Sequence, residues 1–239
     1  LAQQREQFLD AREALQESRL DDYRRLAAGL TDYPLYRYLQ FEELRSRLSR
    51  ADASEISGFI ERYAGEPLSW RLRRSWLYNL ARHKQWQQFL QAYHEPQPVE
   101  LQCYRLQAQL AQRPGKTAAL VADAIKLWLV GKSQVDACDP VFDYLYANDL
   151  ITHELVWQRI QLAMEAGNAS LAGYLAKRLP EADRNWVTLW REARTRPAQT
   201  LEAGELRRDT PHAREIVLYA IQRLAGSSDA SGCHCADRR

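Results

Sequence analysis

Apolar residues return every three or four positions along most of this chain, in stretches of ~10 to 17 residues that short polar turns separate. This period predicts amphipathic α-helices, and no stretch shows the strict alternation of a β-strand. In the first predicted helix, from Ala2 to about Glu17, Phe8, Ala11 and Leu15 form one apolar stripe. Further helices are predicted from Pro34, Pro67 and Trp86, and over residues 20–29, 101–110, 117–130, 141–147, 153–165, 169–179, 182–193 and 213–224.

One arrangement recurs along the chain: a helix, a turn of two or three residues, and a shorter helix that opens on an apolar residue. It occurs at residues 17–20, 83–86 and 166–169. The spacing is irregular and does not match a tetratricopeptide repeat, whose signature residues are also missing. We therefore expect an irregular all-α solenoid in which each helix pair buries its apolar face on the next. A compact helical bundle is the alternative.

The composition changes abruptly after the last predicted helix. Residues 226–239 are mostly small and polar, and we expect a disordered or non-native tail there. The tail contains Cys233, His234 and Cys235, which are residue types that bind zinc. Three ligands within three consecutive residues cannot close a tetrahedron unaided, so we predict no metal site and no cofactor.

Charge and hydropathy exclude two classes of partner. The chain has 239 residues, 46% hydrophobic and 27% charged, with a net charge of +2. This charge gives no field that would favour nucleic acid or an anionic membrane surface. No run approaches the ~18 to 20 apolar residues of a membrane span. The chain begins at Leu1 and not at a methionine, as a processed or trimmed chain would, so the sequence neither shows nor excludes export.

Two apparent binding signals have simpler structural explanations. Gly115-Lys116-Thr117 resembles the end of a phosphate-binding loop, but Leu110 stands where that loop needs a glycine. We expect Thr117 to cap the next helix instead. The seven tryptophans could stack on sugar rings, but most fall at apolar-face spacings, which favours packing between helices.

Three stretches together resemble a known family. They are YPLYRYL at residues 33–39, LRRSWL at 72–77 followed by W-x-x-F-L-x-x-Y from residue 86, and LWL-x-G-x-S-x-x-x-ACDP-x-F at 127–142. In this order and at these distances they resemble the soluble lytic murein transglycosylases of Gram-negative bacteria. The similarity runs from the N-terminus to about Leu224.

The resemblance implies a fold and a place in a larger protein. It implies an irregular right-handed α-superhelix, a solenoid of helix pairs that forms a partial ring. Residues 1–225 would be the N-terminal superhelical domain, incomplete here, and the lysozyme-like catalytic domain would be absent. In the family, one glutamic acid of that catalytic domain protonates the glycosidic oxygen between N-acetylmuramic acid and N-acetylglucosamine, and a 1,6-anhydro product forms.

The resemblance does not supply a catalytic residue in this chain. The family's catalytic glutamate lies in a Glu-Ser pair, with Gly-Leu-Met-Gln downstream. Glu17-Ser18 matches the pair, but it lies at a helix end near the N-terminus, and Gly-Leu-Met-Gln does not occur. We therefore predict that no residue of this chain is catalytic, and we assign no glycan-binding residues.

The resemblance also implies a disulfide. The two cysteines at the family's matching positions are Cys103 and Cys138. A bridge between them would indicate an oxidising compartment, and hence the periplasm. Two buried free thiols are the alternative. Asp139 would then cap the helix that follows, with Pro140 in its first turn.

Together these observations favour the non-catalytic superhelical domain of a periplasmic peptidoglycan lytic transglycosylase. Such a domain would position peptidoglycan glycan strands or hold other cell-wall enzymes, and the incomplete solenoid would self-associate to cover its apolar face. The alternative function is a stand-alone helical-repeat adaptor that binds proteins. A nucleic-acid-binding solenoid fits the near-neutral charge poorly.

Overall fold

The computed structural model describes residues 2–112 and 117–232, with residues 227–232 described by their backbone alone. The chain divides into two compact units, Leu1–Gly115 and Lys116–Arg239, where the sequence predicted one domain over residues 1–225. Every regular element in the described part is a helix, so the predicted all-α class is confirmed.

The described part of the first unit, residues 2–112, contains seven helices, and α5 lies at its centre. Helix α1 packs on α2 and α3, while α3, α4, α6 and α7 all pack on α5. Proline begins α5, where its missing N–H has no helical partner to lose. The helices of this unit are α1 (Ala2–Gln16), α2 (Leu20–Ala28), α3 (Tyr36–Ser46), α4 (Ala53–Arg62), α5 (Pro67–Arg82), α6 (Trp86–Ala92) and α7 (Val99–Gln112).

Residues 117–232, the described part of the second unit, also contain seven α-helices, with two short 3₁₀ segments. Helix α8 packs on α9, α10 on α11, and α11 on α12, which also packs on α13 and α14. Neighbours in sequence are thus neighbours in space, as the solenoid prediction requires. The helices are α8 (Ala118–Trp128), α9 (Asp139–Ala147), α10 (His153–Glu165), α11 (Ala169–Ala176), α12 (Glu181–Thr195), α13 (Pro197–Leu201) and α14 (Pro211–Gly232).

The predicted apolar stripes face the interiors of the two units. In α5, Leu68, Leu72, Trp76 and Leu80 are all buried, as their spacing predicted. They join a core cluster to which α3, α4, α6 and α7 contribute, while α1, α2 and α3 form a second cluster around Leu39. Side chains at these spacings share one face of a helix, so each helix can bury that face against its neighbours.

The three predicted turns share one backbone conformation. Ser18, Lys84 and Gly167 all have a positive φ, at 61°, 54° and 74° respectively. The residue after each donates its N–H to the carbonyl five residues earlier, which is the Schellman arrangement for ending a helix. These bonds are Arg19 N to Ala14 O at 2.8 Å, Gln85 N to Leu80 O at 2.9 Å, and Asn168 N to Ala163 O at 2.7 Å.

The left-handed residue of these turns is not always glycine. Ser18 and Lys84 carry a Cβ in this conformation, which costs roughly 1 kcal/mol at each position. A fourth turn of the same kind, centred on Asp149, follows α9. The reversals therefore depend on the packing of the helices that they join as well as on local preference.

The structure contains two helices that the apolar pattern did not predict. Helix α4 begins with a capping box, in which the side chain of Asp52 accepts from the backbone of Glu55 and that of Glu55 accepts from the backbone of Asp52. Its buried residues Ile56, Phe59 and Ile60 do have helical spacing. Helix α13 has only five residues, which is too short to show a period.

Capping was predicted correctly at α8 and incorrectly at α9. Leu120 N donates to Thr117 Oγ1 at 3.3 Å, so the predicted cap is confirmed. Asp139 is not a cap, because a 3₁₀ turn at Asp136–Cys138 leads into α9 and Cys138 already has helical dihedral angles. An N-cap needs an extended backbone, and Asp139 is instead the first residue of the helix.

Helix α14 differs from the prediction at its C-terminal end. It continues to Gly232, beyond the expected end at residue 224 and into the segment predicted to be a tail. Small polar residues and a single interior Gly226 weaken a helix by less than ~1 kcal/mol each, so they need not end it. Residues 233–239 lie outside the described residues.

Gly131 allows the chain to pass very close to helix α10. A Cβ at this position would lie 2.2 Å from the carbonyl oxygen of Leu162 and 3.0 Å from Cβ of Ala166. The first of these atoms belongs to the backbone of α10 and cannot turn aside as a flexible side chain could. Only glycine therefore fits at residue 131 without moving the loop away from α10.

We predict that Gly131→Ala lowers the free energy of unfolding by about 2 to 3 kcal/mol, because the added methyl group overlaps the helix backbone. Urea denaturation of the whole chain measures this change. Gly58→Ala is the matched control, since its Cβ would meet nothing within 4 Å inside α4. The control should gain roughly 0.5 to 1 kcal/mol from higher helix propensity. Equal midpoints for Gly131→Ala and the unmodified chain would contradict the close approach.

Candidate functional site

The predicted site residues lie at separate places in the described chain. Cys103 on α7 and Cys138 before α9 are both fully buried and disulfide-bonded. The alternative of two free thiols is therefore excluded in this structure. The cluster of Cys233, His234 and Cys235 lies outside the described residues.

Glu17 does not occupy a setting suited to acid catalysis. Its side chain is exposed, and its carboxylate pairs with Arg19 at 2.7 Å between Oε2 and Nε. A general acid of this kind needs a partly desolvated cleft. Ser18 supplies the left-handed residue of the first turn. The prediction that Glu17 is not catalytic remains a prediction.

One cleft of the first unit is occupied by its own ion pairs. It has a volume of about 610 Å³ and lies between α2, α3 and α4. Arg47 pairs there with Glu43, at 2.5 Å, and with Glu55. The Arg47 hydrogen bond lowers the pKa of the Glu55 carboxyl. Since these charges neutralise one another, the cleft is a weak candidate for a charged ligand.

A more informative cavity lies in the second unit, and we call it the Arg159 pocket. It has a volume of about 450 Å³, within the range of small-ligand sites. Its walls combine aromatic rings, two arginines, two aspartates and several neutral polar groups. The lining residues are Trp128, Ser133, Gln134, Asp139, Phe142, Asp143, Tyr146, Arg159, Asn168, Ser170, Leu171, Tyr174 and Arg178.

One face of α9 forms a wall of the Arg159 pocket. Asp139, Phe142, Asp143 and Tyr146 follow the spacing i, i+3, i+4 and i+7, which places them on one side of a helix. The two carboxylates thus alternate with the two rings. Both aspartates are exposed, so they lie on the open side of the pocket.

Trp128 and Arg159 form the floor of the Arg159 pocket. Trp128 is fully buried at the end of α8 and donates from Nε1 to the hydroxyl of Tyr146 at 3.1 Å. The guanidinium carbon of Arg159 lies 4.5 Å from the centroid of the Trp128 ring and 5.9 Å from that of Phe142. A cation over an aromatic face is attracted by the ring quadrupole.

Arg159 is buried, and few polar contacts replace the water that its guanidinium loses. Only 6% of the residue is exposed. Its Nε and Nη2 donate to the carbonyls of Val130 and Lys132 at 3.3 and 3.4 Å, which are long hydrogen bonds. No carboxylate in the described residues lies within ion-pair distance of it. Burial lowers the pKa of the Arg159 guanidinium, which nevertheless stays charged at neutral pH.

The loop before α9 sets the position of these carbonyls. Gly131 brings it against α10, and Gln134 Nε2 holds it by donating to Leu127 O at 2.8 Å. Val130 and Lys132 flank this glycine, so the close approach turns their carbonyls toward Arg159. The loop thus orients the buried cation.

A second arginine lies at the open side of the Arg159 pocket. The guanidinium carbon of Arg178 is 3.6 Å from the centroid of the Tyr146 ring, and the residue is exposed. Tyr174, which is 56% exposed, lies beside it in the lining. Sites of this composition can hold a small polar ligand against aromatic faces and pair with its charges.

Sequence reasoning missed the Arg159 pocket, although one signal was present. Arg159 falls three residues after Val156 and four before Ala163, both of which are buried on the inner face of α10. A charged residue at a core spacing needs a partner or a function. The tryptophan prediction is confirmed for Trp76, Trp128 and Trp190, which are buried between helices, while Trp70 is exposed.

In residues 2–112 and 117–232, no three His, Cys, Asp or Glu side chains come together in a way that could hold a metal ion. None of the helices in the same ranges is both long and apolar enough to span a bilayer.

Comparison with known proteins identifies similar sequences. The soluble lytic murein transglycosylase of Salmonella typhimurium strain LT2 is 32% identical over 181 residues. That of Escherichia coli K12 is 31% identical over the same length. Each match covers 75% of this chain and 28% of the relative, so the chain spans less than a third of the length of these curated relatives. No family model matches the chain.

Solved structures show the same likeness over more of the chain. An inactive mutant of lytic transglycosylase Slt from Pseudomonas aeruginosa is 34% identical, with a TM-score of 0.81 over 94% of this chain and 36% of that one. The 70-kDa soluble lytic transglycosylase in complex with bulgecin A is 26% identical, with a TM-score of 0.78 over 97% and 37%. The resemblance inferred from three motifs is therefore confirmed.

We predict that Arg178→Gln raises the pKa of Tyr146. Burial raises the pKa of this phenol above its usual value of about 10, and the charge of Arg178 partly offsets the rise. A group whose pKa is higher in the folded state than in the unfolded state stabilises the fold at pH values below the unfolded pKa. The contribution of Tyr146 to stability is therefore lost as the pH rises above about 10. NMR titration of ¹³Cζ-labelled tyrosine, with Tyr146→Phe for assignment, measures the shift. A lower or unchanged pKa would disprove the arrangement.

Proposed function

Because this chain belongs to the soluble lytic murein transglycosylase family, we propose that it is the non-catalytic superhelical region of a periplasmic enzyme that cleaves peptidoglycan. Its role is to hold peptidoglycan strands, or partners of the cell-wall machinery, near a catalytic domain. The parent enzyme would cleave the bond between N-acetylmuramic acid and N-acetylglucosamine and leave a 1,6-anhydro product.

The observation that carries this proposal is the joint match in sequence and fold. Identity of 32% over 181 residues, together with a TM-score of 0.81 over 94% of the chain, supports common descent with these enzymes. The setting of Glu17, exposed and paired with Arg19, supports a role other than acid catalysis within this region. The Arg159 pocket supports a holding role, since it offers aromatic faces and charges to a ligand.

We further propose that Cys103 and Cys138 bond to each other and that the chain works in the periplasm. Both are buried and disulfide-bonded, and disulfides persist in oxidising compartments. On the chain-entropy model, a bridge across the ~35 residues between them stabilises the fold by roughly 3 to 4 kcal/mol.

We predict that a non-reducing tryptic digest gives one cross-linked species containing both Cys103 and Cys138. Reduction should lower the free energy of unfolding by roughly 3 to 4 kcal/mol in a urea titration. The Cys233→Ser, Cys235→Ser double variant is the control, because it leaves only the proposed pair and should respond equally to reductant. A cross-link to Cys233 or Cys235, or a stability that reduction leaves unchanged, would refute the pairing.

The holding role is tested by mixing the whole chain with purified peptidoglycan sacculi. We expect the protein to sediment with sacculi but not with cellulose particles, and mass spectrometry of the supernatant to find no anhydromuropeptides. Protein that remains in the supernatant with sacculi would contradict the holding role and favour the adaptor function. Released anhydromuropeptides that disappear with Glu17→Gln would show that Glu17 is catalytic after all.

A protein partner is the second candidate function, and one surface favours it. Helix α14 exposes Leu218 and Ile221, at 58% and 51%, at positions one helical turn apart. An apolar face of this kind is what a solenoid presents to its next element or to a second copy. Self-association or binding of another cell-wall enzyme would cover it.

A further inference from the structure

Among the described residues, Arg159 is the only charged residue that is buried. It is buried, its two hydrogen bonds are long, and both acceptors are neutral carbonyls. Taking a charge out of water is unfavourable unless hydrogen bonds and an opposite charge replace the lost hydration. Arg159 lines an open cavity, so an anion that enters from solvent can supply that opposite charge.

The geometry favours a carboxylate over other anions. A guanidinium presents a planar fork of donors that matches the two oxygens of a carboxylate. Arg178 lines the same pocket from its open side, so a second cation is close to the bound group. A doubly charged phosphate fits less well, because Asp139 and Asp143 line the same pocket and would repel it.

The aspartates indicate that the ligand also carries a positive charge. Asp139 and Asp143 lie one turn apart on α9, beside Phe142, whose ring is near Arg159. The pocket thus has two carboxylates and two guanidinium groups. A neutral sugar would leave both signs unpaired, whereas a zwitterion satisfies both. A volume of about 450 Å³ holds a molecule larger than one amino acid, with room to lie on the rings.

We propose that the Arg159 pocket binds the free carboxylate end of a short zwitterionic peptide. The carboxylate pairs with Arg159 and Arg178, the peptide body lies against Phe142 and Tyr146, and an ammonium group faces Asp139 and Asp143. The inference rests on the proposed function only for the source of the peptide, which would be the peptide stems of peptidoglycan.

The test is an NMR or calorimetric titration of the whole chain with alanyl-alanine, in its L and D forms. We expect saturable binding of the free dipeptide that weakens as sodium chloride increases. Alanyl-alanine amide, which lacks the carboxylate, should bind about tenfold more weakly or worse. The neutral sugar chitotriose should not compete. N-acetyl-alanyl-alanine should lose the part of the affinity that depends on the aspartates.

Matched variants separate the pocket from general charge effects. Arg159→Lys keeps the charge but loses the planar fork, and should weaken binding about tenfold. Arg178→Gln, at an exposed position, should weaken dipeptide binding to a similar extent. This variant tests the proposal even if Arg159→Lys does not fold. Arg184→Gln is the control, because Arg184 also donates to two backbone carbonyls, of Leu179 and Lys177, but lies outside the pocket lining. Asp139→Asn should weaken binding of the free dipeptide without affecting binding of the N-acetylated dipeptide.

Several results would overturn the proposal. They are equal binding of the amide and the free acid, unchanged affinity in Arg178→Gln, competition by chitotriose, or no saturable binding at all. The sacculus experiment tests the proposed function independently of these results. If the protein binds the dipeptide but does not sediment with sacculi, the peptide site is supported and the holding role is rejected. If Arg178→Gln sediments with sacculi as the unmodified chain does, the holding role is supported but depends on another surface.

Discussion

The arrangement of helices depends on one backbone constraint, a single left-handed residue after the helix. At Ser18, Lys84 and Gly167 this residue lets the next N–H reach back to the carbonyl five positions earlier. The chain then reverses within two or three residues, and the following helix opens against the one just finished. Such short reversals put sequence neighbours side by side, which is how α1 meets α2, α5 meets α6, and α10 meets α11. Serine and lysine accept the strain at two of these turns because the paired helices offset it through buried contacts.

The Arg159 pocket depends on a close approach between two backbone segments. Gly131 brings the loop after α8 onto the backbone of α10, and the neighbouring carbonyls then face Arg159. Trp128 comes just before this loop, and Phe142 comes after it on α9. The stretch at residues 127–142 was one of the three that carried the family resemblance, and it supplies Trp128 to the floor and Asp139 and Phe142 to one wall of the cavity. The Arg159 pocket therefore accounts for Trp128, Gly131 and Phe142 together.

The apolar period was enough to predict most of the fold. Helix α5 begins at its predicted start and α10 has its predicted bounds, because Pro67 and Thr152 mark their starts and the buried spacing is regular. Helix α4 was missed although Ile56, Phe59 and Ile60 have the right spacing, since its polar surroundings obscured a short run. The end of α14 was misplaced because composition alone does not stop a helix. Division into two units could not be predicted, since it depends on contacts between residues far apart in sequence.

The site was harder to predict than the fold for a physical reason. A binding pocket uses residues that contradict the pattern around them, and such contradictions resemble noise in a single sequence. Arg159 occupies a core position on α10 where an aliphatic side chain would pack without loss of hydration. Aromatic rings and two carbonyls stabilise it only in part. A fold that needed Arg159 for stability alone would be expected to place a carboxylate beside it. The two carboxylates of the pocket are exposed instead, which is the arrangement that the proposed zwitterionic ligand requires.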